Sequence, residues 1–491
     1  MNRLKNYING AWAESSSNET VDVHNPATQE VIATVPYGVA TQKDLQDAAT
    51  SAQGAYLEWK KVPVMKRVQQ LYKLKNIMEN NLEELAKIIT NESGKTKGES
   101  IGEIQRAIEN IEVACGTPML IKGDVIEDIA FGIDEMMIRQ PIGVTACITP
   151  FNFPSMIVFW FLPYAIATGN AMIVKPSEKV PLTMMKLFEF FDELDLPKGL
   201  LSLVHGGKET VDAILEHPSI KAISFVGSTP VARYIYSKGT ANGKRVQSQG
   251  GAKNPVIVLP DCDLEMSSKI IVDSVYGCAG QRCLAASTII TVDDQKRNIK
   301  DALYEVVKSR KTGYGWDSDT NMGPVITPES KKRVESLIQK GVDEGANVLL
   351  DGRNTAVSGY EKGNFLNPTI LENVPLGKEL IQTEIFGPVM SLISMKNIEE
   401  ALQFVNSGNY GNMACLFTQS GAMARKFRNE ADAGNIGINI GVAAPMAQFP
   451  FSGWKDSFFG DLHGQGNHAI EFFTQTKVVI ERWPNIWSRK F

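Results

Sequence analysis

Apolar positions along residues 41–115 recur at helical spacing. Leu45, Ala48, Ala49 and Ala52 form one stripe, with Thr41 placed to cap its start. Val68, Leu71, Leu74, Ile77 and Met78 form a second, and Ile101, Ile104, Ile108, Ile111 and Cys115 a third. The period then changes. Residues 124–140 alternate around Phe131-Gly132-Ile133-Asp134, the pattern of a β-hairpin. From 143 to 258 short apolar runs at 144–148, 171–174, 200–204, 222–226 and 256–259 are separated by helical stretches. Strands alternating with helices predict βαβ units and a parallel sheet, which binds nucleotides at the carboxyl ends of its strands. A second alternating region spans 287–433, with strands expected at 288–292, 348–350 and 389–394. Residues 472–480 alternate apolar and polar, and a lone strand at that place is expected to pair outside its own domain.

Length and composition narrow the class. A chain of 491 residues exceeds what one core organises and predicts two or three domains. The hydrophobic fraction is 43% and the charged fraction 21%, with no low-complexity tract and no internal repeat. A formal charge of −5 argues against nucleic acid or an anionic membrane as the main partner. Six cysteines without a CxxC pair point to reduced thiols and a cytoplasmic setting. The first residues carry no apolar presequence, and the apolar stretch 153–174 is interrupted by Pro154, Pro163, Gly169 and Asn170. It predicts a buried helix followed by a buried strand, with no membrane span.

Candidate chemistry centres on Gly280-Gln281-Arg282-Cys283. A fixed cation beside a thiol favours the thiolate, the form that attacks a carbonyl carbon. Cys115, Cys147 and Cys415 sit in apolar runs and read as small buried hydrophobes, and Cys262 and Cys278 have no supporting context. Phe225-Val226-Gly227-Ser228-Thr229-Pro230 lies at a strand-to-helix junction, where small residues and an early Pro make either a phosphate site or a simple loop. No GxGxxG fingerprint is present. Taken alone, Asn152 reads as a turn residue, Lys175 and Glu178 as a surface pair, and Glu384 with Phe386 as a turn before a strand. The five histidines show no metal-ligand spacing and none neighbours Cys283, so neither a metal site nor a Cys–His hydrolase is expected.

Five segments in order resemble the aldehyde dehydrogenase superfamily: Pro150-Phe151-Asn152-Phe153-Pro154, Lys175-Pro176-Ser177-Glu178, Phe225 to Thr229, Gly280 to Cys283, and Glu384-Ile385-Phe386-Gly387-Pro388. Gly251-Ala252-Lys253-Asn254, Arg282 and the segment from Trp454 to Asp461 resemble its CoA-acylating methylmalonate-semialdehyde dehydrogenase branch. The resemblance implies an α/β fold with a Rossmann-type parallel-sheet NAD-binding domain (1–118 and 141–250), an α/β catalytic domain (251–445) and a β oligomerisation arm with tail strand (119–140 and 446–491). It makes Cys283 the nucleophile and Asn152 an oxyanion donor. Phe151, Lys175, Glu178, Gly227, Ser228, Thr229, Glu384 and Phe386 become cofactor residues. Glu178 accepts ribose hydroxyls and repels a 2′-phosphate, which favours NAD over NADP.

The family's usual water-activating Glu is Gln249 here, and an amide cannot take a proton from water. Coenzyme A is therefore the implied acyl acceptor and co-substrate. Arg106 and Arg282 are the implied carboxylate-binding residues, although its place off the apolar stripe also reads Arg106 as a solvated partner of Glu103 or Glu109. The expected reaction is NAD-dependent oxidation of malonate or methylmalonate semialdehyde to acetyl-CoA or propionyl-CoA with loss of CO2, in a homo-oligomer, dimer or tetramer. A non-acylating enzyme for another short carboxylated or sulfonated semialdehyde is the alternative, since Gln249 and Pro255 depart from the branch; a binding protein that kept the fold is a further one.

Overall fold

The computed structural model describes residues 3–293 and 298–483. The predicted helices are present as Thr41–Trp59, Val64–Asn80 and Lys97–Cys115, with Leu82–Ser93 between the last two. Their apolar stripes are buried, apart from Ile77 and Ile101 at the edges. Thr41 does not cap its helix. It is the first helical residue, and its Oγ1 donates to the Gly38 carbonyl at 2.7 Å. The helix Lys97–Cys115 instead carries a reciprocal cap, Thr96 with Glu99, whose side chains each bond the other's backbone N–H.

Two sheets organise the molecule. The first holds eight strands in the spatial order Ala11–Ala13, Asn6–Ile8, Leu201–Leu203, Ala171–Lys175, Val144–Ile148, Ile220–Val226, Arg245–Gln249 and Phe458–Phe459. Its five central strands are parallel. The chain enters at Val144–Ile148, winds outward one way to Leu201–Leu203, then crosses back to Ile220–Val226. That reversal is a topological switch point, where a crevice opens beyond the carboxyl ends of the strands. The second sheet runs Asn347–Leu350, Thr369–Glu372, Val389–Met395, Ala286–Val292, Asn254–Val258, Met413–Phe417 and Asn435–Ile438, parallel except for its first strand.

The structure adds strands to the expected list, among them Thr369–Glu372, Met413–Phe417 and Asn435–Ile438, and corrects it at two instructive places. The run at 256–259 belongs to the second sheet and not to the first. The first sheet gains Arg245–Gln249, whose polar residues hide a strand that is paired on both sides. The stretch 153–174 holds two short helices, Met156–Phe159 and Leu162–Thr168, rather than one. Pro163 lies in the first turn of the second, and left-handed Gly169 ends it. Among the described residues no helix is long and apolar enough to cross a membrane.

The hairpin Val125–Ala130 and Ile133–Pro141 stands out from the core with Phe131 fully exposed at its tip. The tail strand Thr474–Arg482 pairs antiparallel with Ile133–Pro141 along its whole length, from Thr474 opposite Pro141 to Arg482 opposite Ile133. The tail strand thus finds a partner in its own chain, and among the described residues the three-stranded sheet has one unpaired backbone edge on each side.

Candidate active site

The loops that follow the central strands of the first sheet carry most of the candidate residues. Phe151 and Asn152 follow Val144–Ile148; Glu178 follows Ala171–Lys175; Gly227, Ser228 and Thr229 follow Ile220–Val226; and Gln249 ends its own strand. Cys283 and Glu384 approach from the second sheet, ahead of the strands Ala286–Val292 and Val389–Met395.

Cys283 sits after a tight turn at Gly277–Gly280, in which Cys278 and Ala279 take left-handed backbone angles near φ 53 and 52°. Gly280 is left-handed too, and a Cβ there would lie 2.1 Å from the Gly387 carbonyl oxygen. Only glycine satisfies both limits. Non-glycine residues in this region are strained and persist where their surroundings hold them. Three side-chain amides do so. Asn254 and Asn412 each donate to the Cys283 carbonyl at 2.8 Å. Asn152 Nδ2 donates to the Gln281 carbonyl at 3.0 Å, which fixes this buried amide beside the cysteine turn.

The thiol itself departs from expectation. Burial pushes Cys283 up to about 12, Glu384 raises it further, and the two nearby backbone amides and Arg282 offset little of this. Arg282 points elsewhere. Its guanidinium donates to the Asp273 and Ser274 carbonyls at 2.5 and 2.9 Å, at the end of the helix Leu264–Tyr276. Desolvation outweighs a cation already engaged by a helix C-terminus, so the resting group is a thiol.

A cavity of about 310 Å³ brings Cys283 together with Arg282, Arg106, Glu99, Glu103 and Trp160. Arg106 pairs with Glu109 at 2.6 Å and reaches the Pro445 carbonyl at 3.1 Å, so it lies on the cavity wall and is not merely solvated. Glu103 is not its partner. That buried carboxylate pairs with Lys95 and accepts the N–H groups of Ser155 and Met156 at 2.7 and 3.0 Å. Lys95 Nζ stands 3.6 Å over the Phe153 ring. Sequence reasoning missed Asn254, Asn412, Lys95 and Glu103 as parts of this site. Asn254 lay in a quoted motif; nothing in the residues around Asn412 marks it.

Gln249 is buried, and its Nε2 donates to Asn412 Oδ1 at 3.0 Å. Its side chain faces a small enclosed space bounded by Phe225, Phe451 and Phe458 and does not line the 310 Å³ cavity. The amide therefore acts as a prop: Gln249 orients Asn412, and Asn412 holds the Cys283 carbonyl.

A second set of residues fits a dinucleotide. Lys175 Nζ lies 3.4 Å from Glu178. Burial would raise the Glu178 carboxyl, but Lys175, its own backbone amide and Lys179 outweigh it and hold the group below the ordinary carboxylate range. Such an anion suits two ribose hydroxyls. Ser228 precedes the helix Thr229–Ala241 and makes no side-chain cap, which leaves the first amides of that helix open to an anion. A Cβ on Gly227 would strike the Phe225 ring at 2.3 Å, so the backbone alone forms this wall. The Thr229 hydroxyl is engaged, accepting from Gly251 N at 2.8 Å and donating to the Asp456 carbonyl at 3.1 Å. Further along, Glu384 accepts the Ala252 N–H at 2.8 Å, and burial raises its carboxyl to about 7. Phe386, left-handed at φ 55°, meets Phe151 edge-on with ring centroids 5.9 Å apart.

A crevice at a topological switch point, carrying such a set opposite a half-buried cysteine, defines a cofactor-dependent cysteine enzyme. The sequence matches the profile of the Aldehyde dehydrogenase family over residues 12–479, and the chain belongs to that family. Among its relatives, the malonate-semialdehyde dehydrogenase of Halalkalibacterium halodurans is 46% identical over 481 residues, 98% of each chain. The crystal structure of methylmalonate-semialdehyde dehydrogenase from Oceanimonas doudoroffii superposes with a TM-score of 0.97 at 38% identity over 99% of both chains. A structure from Sinorhizobium meliloti, provisionally assigned as methylmalonate-semialdehyde dehydrogenase and solved with NAD, gives 0.97 at 41% identity, again over 99% of both.

Proposed function

We propose that the protein oxidises malonate or methylmalonate semialdehyde with NAD and passes the acyl group to coenzyme A, releasing CO2 and giving acetyl-CoA or propionyl-CoA. The observation that carries this reading is the 310 Å³ cavity, where Cys283 shares one space with Arg106 and Arg282 while Gln249 stands where the family's water-activating carboxylate would be. The names and coverage of the relatives support it.

In this reading the Cys283 sulfur attacks the aldehyde carbon after losing its proton, and Asn152 Nδ2 together with the Cys283 N–H steadies the oxyanion. Glu178 and Lys175 hold the adenosine ribose of NAD, the amides after Ser228 face its phosphates, and Glu384 with Phe386 and Phe151 borders the nicotinamide end. NAD supplies the hydride acceptor. A thioester remains on Cys283; its β-carboxylate leaves as CO2 by cleavage of the C–C bond, and the α-carbon takes up a proton from solvent. Water lacks a base at Gln249, so the thiol of coenzyme A, which ionises far more readily than water, takes the acyl group. Arg106 faces the substrate carboxylate from the cavity wall, and Arg282 lines the same cavity while held on the Asp273 and Ser274 carbonyls. The two free edges beside the hairpin and the tail strand suit pairing with a second copy, in a dimer or tetramer.

The test is an aldehyde panel assayed for NADH with and without coenzyme A. Malonate and methylmalonate semialdehydes should be preferred over propanal, with steady turnover dependent on coenzyme A and acyl-CoA as product. Full-rate formation of free acid without coenzyme A would overturn the acyl-transfer reading.

A further inference from the structure

A larger cavity, about 590 Å³, lies away from the Cys283 cavity and shares no lining residue with it. Its floor is built by Lys253, Pro255 and Thr288 at the second sheet; Ile381 and Phe404 wall it, and exposed Leu376 stands at its mouth. The volume is that of a small-molecule site. Lys253 is half-buried as a residue, while its Nζ is buried and has no hydrogen-bond partner among the described residues.

The other interior lysines differ. Lys95 pairs with Glu103, Lys175 with Glu178, and Lys244 donates to the Ile220 carbonyl at 2.8 Å. An amine with no hydrogen-bond partner gains little from staying protonated, and it sits on a four-carbon stem that can turn into the adjoining cavity, whose lining also holds Glu400 and Asp432.

We propose that Lys253 is a second reactive centre, an amine that captures small aldehydes entering this cavity as an imine, independently of Cys283. The lone pair of Nζ attacks the carbonyl carbon to give a carbinolamine. The hydroxyl then leaves as water with a proton from nitrogen, and a C=N bond forms. One amine and one aldehyde give one imine and one water, with no oxidant or reductant. Burial supports the assignment by pushing Lys253 down to about 7, with Glu384 pulling it up and Arg333 pushing it down. More of this amine is then free at neutral pH than on an ordinary exposed lysine, which is almost wholly protonated.

The position ties this amine to the active site. Alternate residues of an extended segment face opposite sides. Lys253 lies between Ala252, whose N–H holds Glu384, and Asn254, which holds the Cys283 carbonyl. An occupied cavity therefore bears on the segment that positions both.

The test treats NAD-free wild-type protein briefly with limiting propanal and cyanoborohydride, which reduces imines to stable secondary amines, and then maps the modified peptides. Lys253 should be labelled at least about tenfold faster than exposed Lys43 and Lys269, since burial leaves more of its amine unprotonated. Lys253→Arg, which keeps the charge, should lose this label, and Cys283→Ala should retain it. First labelling on exposed lysines, or loss of the Lys253 label in Cys283→Ala, would overturn the proposal. Because the mapping is read on wild-type protein, a folding defect in Lys253→Arg leaves it decisive.

Discussion

Restoring a carboxylate at position 249 is the obvious route from an acyl-CoA-forming enzyme to a hydrolytic one, and the structure predicts that Gln249→Glu falls short of it. Gln249 Nε2 donates to Asn412 Oδ1, and Asn412 Nδ2 donates to the Cys283 carbonyl. A carboxylate in place of the amide sets an acceptor against an acceptor inside the protein. Either Asn412 turns over and releases the Cys283 carbonyl, or the introduced carboxylate takes up a proton and cannot act as a base. Leaving a buried polar group unpaired costs about 1–3 kcal/mol. If the Cys283 turn bears that cost, acylation slows by roughly 5- to 150-fold. The assay is rapid mixing with NAD and semialdehyde without coenzyme A, following the NADH burst and the free acid together. The variant should give a slower burst of unchanged amplitude and little free acid. Free acid released as fast as the wild type turns over with coenzyme A would refute the reasoning, because the new carboxylate would then reach the thioester despite Asn412.

Glu178→Ser removes the ribose acceptor and leaves the buried Lys175 ammonium unpaired; NAD affinity should fall and the NADP-to-NAD preference rise, and an unchanged ratio of KM values would refute the assignment. Arg106→Leu and Arg282→Leu should each weaken anionic semialdehydes about thirtyfold or more relative to propanal, as expected when one member of a desolvated ionic pair is lost. Equal losses on both substrates would mean structural roles; Arg282→Leu should also lower Tm, because it frees the Asp273 and Ser274 carbonyls. Alkylation of Cys283 by iodoacetamide in NAD-free protein should rise about tenfold per pH unit from pH 7 to 9 without levelling, because burial holds the thiol far above that window. A plateau below pH 8 would show a thiolate stabilised in the free protein.

Helices were legible where one face met the core, because burial of a stripe at helical spacing leaves a mark in a single sequence. Val68, Leu71, Leu74 and Met78 are such a mark. Strands were legible where both faces are apolar, as at Val144–Ile148, and hidden where polar side chains are paired inside. Arg245–Gln249 is the clearest case: Gln247 donates to Ser224 Oγ at 2.7 Å and Ser248 to the Ala232 carbonyl at 2.9 Å, so buried polar residues look like a surface loop when read alone. Sheet membership of Asn254–Val258 was hidden for another reason, since periodicity says that a strand exists and nothing about which neighbour it chooses.

The same distinction separates the legible part of the site from the rest. Cys283, Asn152 and Glu384 stand in short segments that the family resemblance marks, although Asn152 and Glu384 taken alone read as turn residues. The groups that set the cysteine's character come from distant segments, and their effects compete in ways that only distances decide. Arg282, adjacent in sequence, promised a thiolate; its guanidinium turns to a helix end, and desolvation by the surrounding core outweighs it. Gln249 promised a vacant base position; its hydrogen bond to Asn412 makes it part of the support for Cys283. Adjacency along the chain is thus a poor guide to electrostatic influence in this site, because a buried charge acts through its own hydrogen-bond partners first. A cysteine whose pKa burial raises to about 12 gains reactivity chiefly when its proton is removed with cofactor and aldehyde in place, which would let the enzyme keep an unreactive thiol until both are bound.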